Sequence, residues 1–437
     1  MCVYQQKVYK MSLNVRQFLS IIPPLWAGRT PGQLIIQFTD YCNARCPQCG
    51  MSITNHFQRH RLNVDDIKRM LDTAPQKGIR VVSFTGGEPL LHLDDLITLI
   101  NHAWQAGIKY IRTGTNGFLF SQSQSPGFRS RMIRLVETFA ETPLRNFWIS
   151  IDSAIADVHE QMRGFKGLIE GIEKALPIFH EHGIFPSVNL GINRNVGGEL
   201  TRSATIEKDS REEIDRFQSI YQDAFRSFYR LVEELGFTIV NSCYPMNVAT
   251  DDQDSGLDPV YAATSRENLV SYNTTEKAAL FKALFLTIPE FRHRIRIFSP
   301  RTSLRALFRS YSGKEEEAYP CRGGLDAFFV DSCGGDTYPC GYRGSENMGK
   351  FWLLDIRNQN GKAGCRRCDW ECFRDPSELF GPLLQARSSP ISLIRKLLRD
   401  PEYFSIWKED LSYYRACNLF DGRCSPDYDK LARFAIV

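Results

Sequence analysis

The chain has 437 residues and carries 54 Lys and Arg against 50 Asp and Glu. A formal net charge of +4, spread along the chain, is too small to argue for a nucleic-acid partner, and the ordinary composition excludes a fibrous or disordered class. This length predicts a large domain with a smaller second one.

Residues 1–32 read as an N-terminal extension. Its apolar stretch "FLSIIPPLWAG" is broken by Pro23 and Pro24 and lacks a small-residue cleavage pattern. It is therefore expected to be neither a spanning helix nor a signal peptide, and a cytoplasmic setting follows. From residue 33 short β-rich runs alternate with helical patterns. The predicted strands are "QLIIQFTD" (33–40), "RVVSFTGG" (80–87), "YIRTGTNG" (110–117), "FWISIDS" (147–153), "IFPSVNLGIN" (184–193) and "FTIVNSC" (237–243). Helical patterns lie near 62–76, 93–106, 129–140, 166–182 and 211–235. Six βα units predict an α/β fold with a parallel sheet curled into a partial (β/α)6 TIM-like barrel over 33–300. Chemistry in such barrels sits at the carboxyl ends of the strands. Asp40, Gly86 to Glu88, Asn116, Asp152 and Asn193 all fall there. The polar stretches 197–212 and 249–274 read as lids or solvated loops.

Thirteen cysteines in a cytoplasmic chain are expected to be metal ligands rather than disulfide partners. Three of them, Cys42, Cys46 and Cys49, stand in "YCNARCPQCG". A structural zinc needs four ligands, and no fourth Cys or His stands at knuckle spacing. Three thiolates suit a 4Fe-4S cluster, whose fourth iron then stays open to a ligand. At the end of the second predicted strand "TGGEPLL" supplies Gly86 and Gly87, which let a ligand approach the backbone, and Glu88, whose carboxylate can receive an ammonium group.

The CxxxCxxC loop followed by GGE resembles the signature of the radical S-adenosylmethionine (SAM) superfamily, over roughly residues 33–243. The resemblance implies a 4Fe-4S cluster on Cys42, Cys46 and Cys49, SAM chelating the open iron, and Gly86, Gly87 and Glu88 on its methionine end, beside the strand-end Asn116. "SIDS", with Ser150 and Asp152, resembles the segment that reaches the SAM ribose and carboxylate. "VNLGINRN", with Asn189 and Asn193, resembles the fifth-strand segment that contacts SAM. The alternative is that these four polar residues only cap strand ends. The implied chemistry is reductive cleavage of SAM to a 5'-deoxyadenosyl radical that abstracts a hydrogen atom from an organic substrate, with a reductase or flavodoxin-type protein as electron donor.

Farther on, Cys321, Gly335 and Cys340 are followed by "CRRCDWEC", which carries Cys365, Cys368 and Cys372. "AFFVDSCGGDTYPC" reads as a β-hairpin with Gly334 and Gly335 at its turn. Residues 315–375 thus resemble the SPASM or twitch auxiliary iron-sulfur domain, with one cysteine fewer in the middle run than the full pattern. One auxiliary 4Fe-4S cluster on Cys321, Cys340, Cys365 and Cys368 is expected, with Cys372 as a substitute ligand; a closed zinc site is the alternative. Cys243 ends the sixth strand and is a candidate hydrogen-atom donor, while Cys333, Cys417 and Cys424 have no assigned role and Cys2 reads as incidental. Residues 376–437 form a helical extension. There Ser389 and Pro390 start a helix whose stripe of Ile391, Ile394, Leu397 and Leu398 is expected to pack on the barrel, with a membrane-surface role as the minority alternative.

The resemblance puts a ribosomally made peptide first as substrate, although about 32 residues ahead of the first strand are too few for the leader-binding domain of many peptide maturases. A small natural product or lipid precursor comes second. A non-enzymatic iron-sulfur or zinc scaffold is the alternative from another class, and the intact GGE speaks against it.

Overall fold

The computed structural model describes residues 24–53, 58–245, 257–260, 268–314, 317–356 and 364–436. Cys2, most of the N-terminal extension and much of the 249–274 loop lie outside the described residues.

The strands are β1 (Gly32–Thr39), β2 (Ile79–Gly86), β3 (Tyr110–Thr115), β4 (Asn146–Ser150), β5 (Ser187–Gly191), β6 (Ile239–Cys243), β7 (Arg296–Ile297), β8 (Ala327–Val330) and β9 (Thr337–Tyr338). They form one sheet in the order β7-β6-β5-β4-β3-β2-β1-β8-β9, parallel throughout except for the last pair. β1 lies near the middle, and seven of its eight residues are buried, as a parallel strand covered on both faces requires.

Helices cross between successive strands: α1 (Val64–Thr73), α2 (Leu93–Ala106), α3 (Phe128–Ala140), α4 (Ala156–Arg163), α5 (Leu168–Glu181), α6 (Arg211–Leu235) and α7 (Thr274–Thr287). Their starts carry side-chain caps where the sequence has Asn or Ser. Asn63 caps α1, Ser210 caps α6, and Asn273 with Glu276 forms a capping box on α7. The segment expected to be one helix from 166 to 182 is preceded by α4. The break lies at Gly164 and Gly167, both at positive φ.

Two features went beyond the expected six units. β7 adds a seventh parallel strand after β6, in register Ile239↔Arg296. The cysteine-bearing hairpin β8-β9 docks on the free edge of β1, in register Ile35↔Phe329, so the barrel sheet continues into the C-terminal region. Gly335 sits at φ 70 in the hairpin connection.

After α8 (Arg301–Ser310) the C-terminal helices α9 (Glu371–Ser388), α10 (Pro390–Arg399) and α11 (Pro401–Ala416) follow. The tail then closes the amino ends of the strands. Arg145 and Asp421, both buried, pair at 3.1 Å. Gly422 donates its N–H to Arg145 O at 2.8 Å and accepts from Phe185 N at 2.7 Å. The Tyr110 hydroxyl donates to Phe420 O at 2.9 Å.

The α10 stripe departs from expectation. Ile391, Ile394 and Leu398 are 64%, 55% and 75% exposed, so they face away from the barrel, and the Ser389 side chain makes no cap hydrogen bond. Lys396 instead turns inward onto the Tyr319 and Tyr403 rings, which rotates the apolar stripe outward. Among the described residues no helix is long and apolar enough to cross a membrane.

Candidate active site

A cavity of about 540 Å³ opens at the carboxyl ends of the strands. All three cysteines of the β1 loop line it, together with Gly86, Gly87, Asn116, Ser150, Asp152, Asn189 and Cys243.

The loop is anchored at its base. Asp40 accepts from His60 N at 3.1 Å and from the Ser332 hydroxyl, tying the end of β1 to the hairpin connection. Cys42 Sγ accepts from Ala44 N at 3.4 Å and Asn116 Nδ2 at 3.7 Å, and Cys46 Sγ accepts from Arg163 Nη1 at 3.8 Å. Burial pushes the Cys46 thiol up to about 12 and raises Cys42. Such thiols ionise only when a cation compensates, and an iron cluster supplies that cation. The donors around their sulfurs suit thiolates, so the residues fit the group.

Gly86 and Gly87 are required for a reason beyond the one expected. A Cβ on Gly86 would lie 2.0 Å from Thr39 O, and one on Gly87 would lie 2.2 Å from Tyr41 O. The chain that approaches them is the base of the cysteine loop itself, held by Gly87 N to Thr39 O at 2.6 Å and Glu88 N to Tyr41 O at 2.8 Å. Both glycines still face the cavity on their other side.

Glu88 is corrected more sharply. It is fully buried and does not line the cavity. Its carboxylate accepts from Asn116 N at 2.6 Å and Leu90 N at 3.1 Å, and burial lifts its pKa to about 7 against the lowering effect of those bonds. It braces the ends of β2 and β3 instead of presenting a charge to a ligand.

Asn193 is likewise turned inward, donating to Asp152 O at 2.9 Å and Gly191 O at 2.7 Å, so it caps strand ends. Asp152 lines the cavity, with Arg163 Nη2 at 2.9 Å and Nε at 2.7 Å and Gln48 Nε2 at 2.8 Å. Buried His159, its pKa lowered to about 4 chiefly by desolvation, accepts from Asp152 N. Arg163 thus bridges the cysteine loop and the fourth strand's end. Sequence reasoning missed it, and the only local signal was the Arg-Gly step that ends α4.

On the far wall stand Cys243, Glu371 and Cys372. Cys243 exchanges hydrogen bonds with Asn189, and the Cys372 thiol donates to Glu371 Oε1 at 3.4 Å. Burial, then the Glu371 charge, raises both thiols well above their ordinary range.

Cys372 is therefore placed apart from the other C-terminal cysteines. Cys321 donates its N–H to Cys365 O at 2.8 Å, and the thiols of Cys321, Cys340 and Cys368, raised mainly by burial, are raised further by cysteine neighbours within the group that includes Cys365. Cys372 lies in the first turn of α9, which points its side chain into the barrel cavity. No disulfide joins any described cysteine, and among the described residues no three His, Cys, Asp or Glu side chains converge on a single-ion site.

Residues 36–198, which carry the cysteine loop, the two glycines and Asp152, match the family model described as the radical SAM superfamily. The chain is a radical SAM enzyme. It is 22% identical over 357 residues to an AdoMet-dependent heme synthase of Methanosarcina barkeri, covering 80% of this chain and 87% of that protein. A GTP 3',8-cyclase of Vibrio parahaemolyticus is 30% identical over 154 residues, which span 34% of this chain and 42% of the cyclase. Among solved structures, anSMEcpe with bound AdoMet aligns at a TM-score of 0.48 and 16% identity, covering 86% of this radical SAM chain and 99% of that one. Streptococcus suis SuiB bound to its precursor peptide aligns at 0.47 and 16%, covering 82% and 72%.

Proposed function

We propose that this radical SAM enzyme cleaves SAM reductively and uses the resulting radical to take a hydrogen atom from an organic substrate held in the barrel cavity. The observation that carries this is the shared opening of Cys42, Cys46, Cys49, Gly86, Gly87 and Cys243 onto one cavity. When bound, the cluster and SAM supply an electron and a 5'-deoxyadenosyl radical. The protein's part is to hold and enclose. Cys42, Cys46 and Cys49 would ligate the cluster; the Gly86-Gly87 backbone, Asn116, Ser150 and Asp152 would frame SAM; and Arg163 fixes the Asp152 carboxylate. Trp148, Phe329, Tyr342 and Trp370 line the remaining wall and keep water from the reacting carbon. Cys243, held by Asn189, would return a hydrogen atom to the substrate radical, and the thiyl radical left on it would take back an electron from the auxiliary cluster and a proton.

Cys321, Cys340, Cys365 and Cys368 would hold one auxiliary 4Fe-4S cluster in a SPASM- or twitch-like region, with a cytoplasmic flavodoxin-type protein as electron source. For the substrate, the relatives that span most of the chain are named as heme synthases, which favours a small organic molecule. Peptide modification is the second reading, supported by the auxiliary-cluster arrangement of the cysteines. Anaerobically reconstituted enzyme, reduced in the presence of SAM, is expected to release 5'-deoxyadenosine. Release that persists after Cys42, Cys46 and Cys49 are all replaced by Ala would refute the assignment.

A further inference from the structure

The arginines buried in this fold almost all face carboxylates. Arg145 pairs with Asp421, Arg292 with Asp410, Arg194 with Glu276 and Arg305 with Asp400. Arg296 lacks such a pair, but its guanidinium donates to Thr238 O, Thr238 Oγ1 and Asp421 O. Arg112, half-buried, differs from all of them. It sits on β3 between Ser83 and Asn146 and lines the barrel cavity. Among the described residues it forms no ion pair, and its buried Nε has no hydrogen-bond partner. Its guanidinium carbon lies 5.5 Å from the Trp148 ring centre and 5.4 Å from that of Phe298. Two aromatic faces thus hold the fork in place without using its N–H donors. A cation inside a protein is retained at a cost unless something answers its charge, and a planar fork of donors suits a carboxylate.

Its depth also matters. Arg112 lies four residues before Asn116, which directly follows β3, and so about 13 Å nearer the floor at strand rise. Below it the C-terminal tail is tied to the amino ends of the strands, where Asp421 is already paired with Arg145. Between the two levels, Gly114 leaves the space that the Trp148 indole fills: a Cβ there would lie 2.1 Å from Trp148 Nε1.

We infer that Arg112 is a specificity residue that anchors a carboxylate of the substrate at the floor of the cavity, leaving the reacting carbon nearer the cysteine loop. This rests on the cavity being the substrate site. The carboxylate can belong to a small organic acid or to the end of a peptide, and the chemistry at Arg112 is the same.

The test uses the reconstituted, SAM-loaded full chain and reads thermal midpoint against added anion at constant ionic strength. The probes are glutarate, tetraalanine and the C-terminal amide of tetraalanine. Arg112→Gln should melt close to the parent, because only the contacts with the two rings are lost and no partner is left unpaired. Its apparent affinity for the protecting carboxylate should fall at least about tenfold, with Arg112→Lys between the two. Protection by glutarate alone assigns a small organic acid. Protection by tetraalanine but not its amide assigns a peptide terminus. Equal protection of the parent and Arg112→Gln, no protection by either acid, or an Arg112→Gln protein that melts several degrees lower would each overturn the inference. Release of 5'-deoxyadenosine is measured separately, so failure of the proposed function and failure of the anchor are told apart.

Discussion

The Glu88 carboxylate accepts the backbone N–H of Asn116 at 2.6 Å, tying the end of β2 to the end of β3 directly behind the cavity wall. Glu88→Gln keeps the shape but turns an amide donor toward the N–H of Asn116 or Leu90. A loss of about 1–3 kcal/mol in folding stability is expected, read from denaturant midpoints. A variant of unchanged stability whose only defect is in SAM affinity would return Glu88 to the ligand side of the wall.

The same residue should leave a mark on pH dependence. Its folded pKa of about 7 lies above the ordinary 4.5, so the native state holds a proton that the unfolded chain has lost. Its contribution is fully present below the unfolded pKa and is lost as pH rises through about 7, by up to roughly 3 kcal/mol. His159, lowered to about 4, acts with the opposite sign: its contribution is present above its ordinary pKa and is lost as pH falls through about 4. The stability deficit of Glu88→Gln should therefore be largest in acid and shrink toward neutral pH. A deficit constant with pH would show that Glu88 is ionised throughout.

Arg163→Ala should be costly, because it leaves the Asp152 carboxylate, which is 1% exposed, with Gln48 as its remaining side-chain donor. Breaking such a pair from one side costs about 3–5 kcal/mol. Arg163→Lys keeps the charge but loses the fork, so a folded protein with weakened SAM binding is expected by calorimetric titration.

Metal content separates the cysteine sets. The full chain should bind about eight irons in two clusters. Replacement of Cys42, Cys46 and Cys49 by Ala should leave about four, and adding Cys321→Ala and Cys340→Ala should remove those. Cys372→Ser should keep all eight, because its thiol faces the barrel cavity. Loss of iron on that single change, or zinc in the residual site, would contradict the grouping.

Gly87→Ala places a methyl group 2.2 Å from Tyr41 O, a backbone atom that cannot rotate away. The cysteine loop must shift, and both stability and cluster retention should fall. Retained iron absorbance with full stability would mean that the loop base is looser than its hydrogen bonds imply.

The sequence by itself determined where the first six strands and their crossover helices lie, because each parallel strand buried on two faces leaves a continuous apolar run and each crossover helix leaves a 3.6-residue period. It also marked the first candidate metal site: Cys42, Cys46 and Cys49 are local in the chain, and the structure opens all three onto one cavity. Tertiary structure decided everything that depends on which way a side chain turns at a strand end. Glu88 and Asn193 have the polar identity of ligand-binding residues, yet both spend their hydrogen bonds on backbone, and only the meeting of β2, β3, β4 and β5 shows it. Cys372 reads as one more cysteine in a run of three, but the start of α9 rotates it toward Cys243, which lies 129 positions earlier in the numbering. Arg112 carries no motif at all. Its meaning lies in the absence of an ion-paired carboxylate among the described residues, and such a relation between distant segments exists only once the chain has folded.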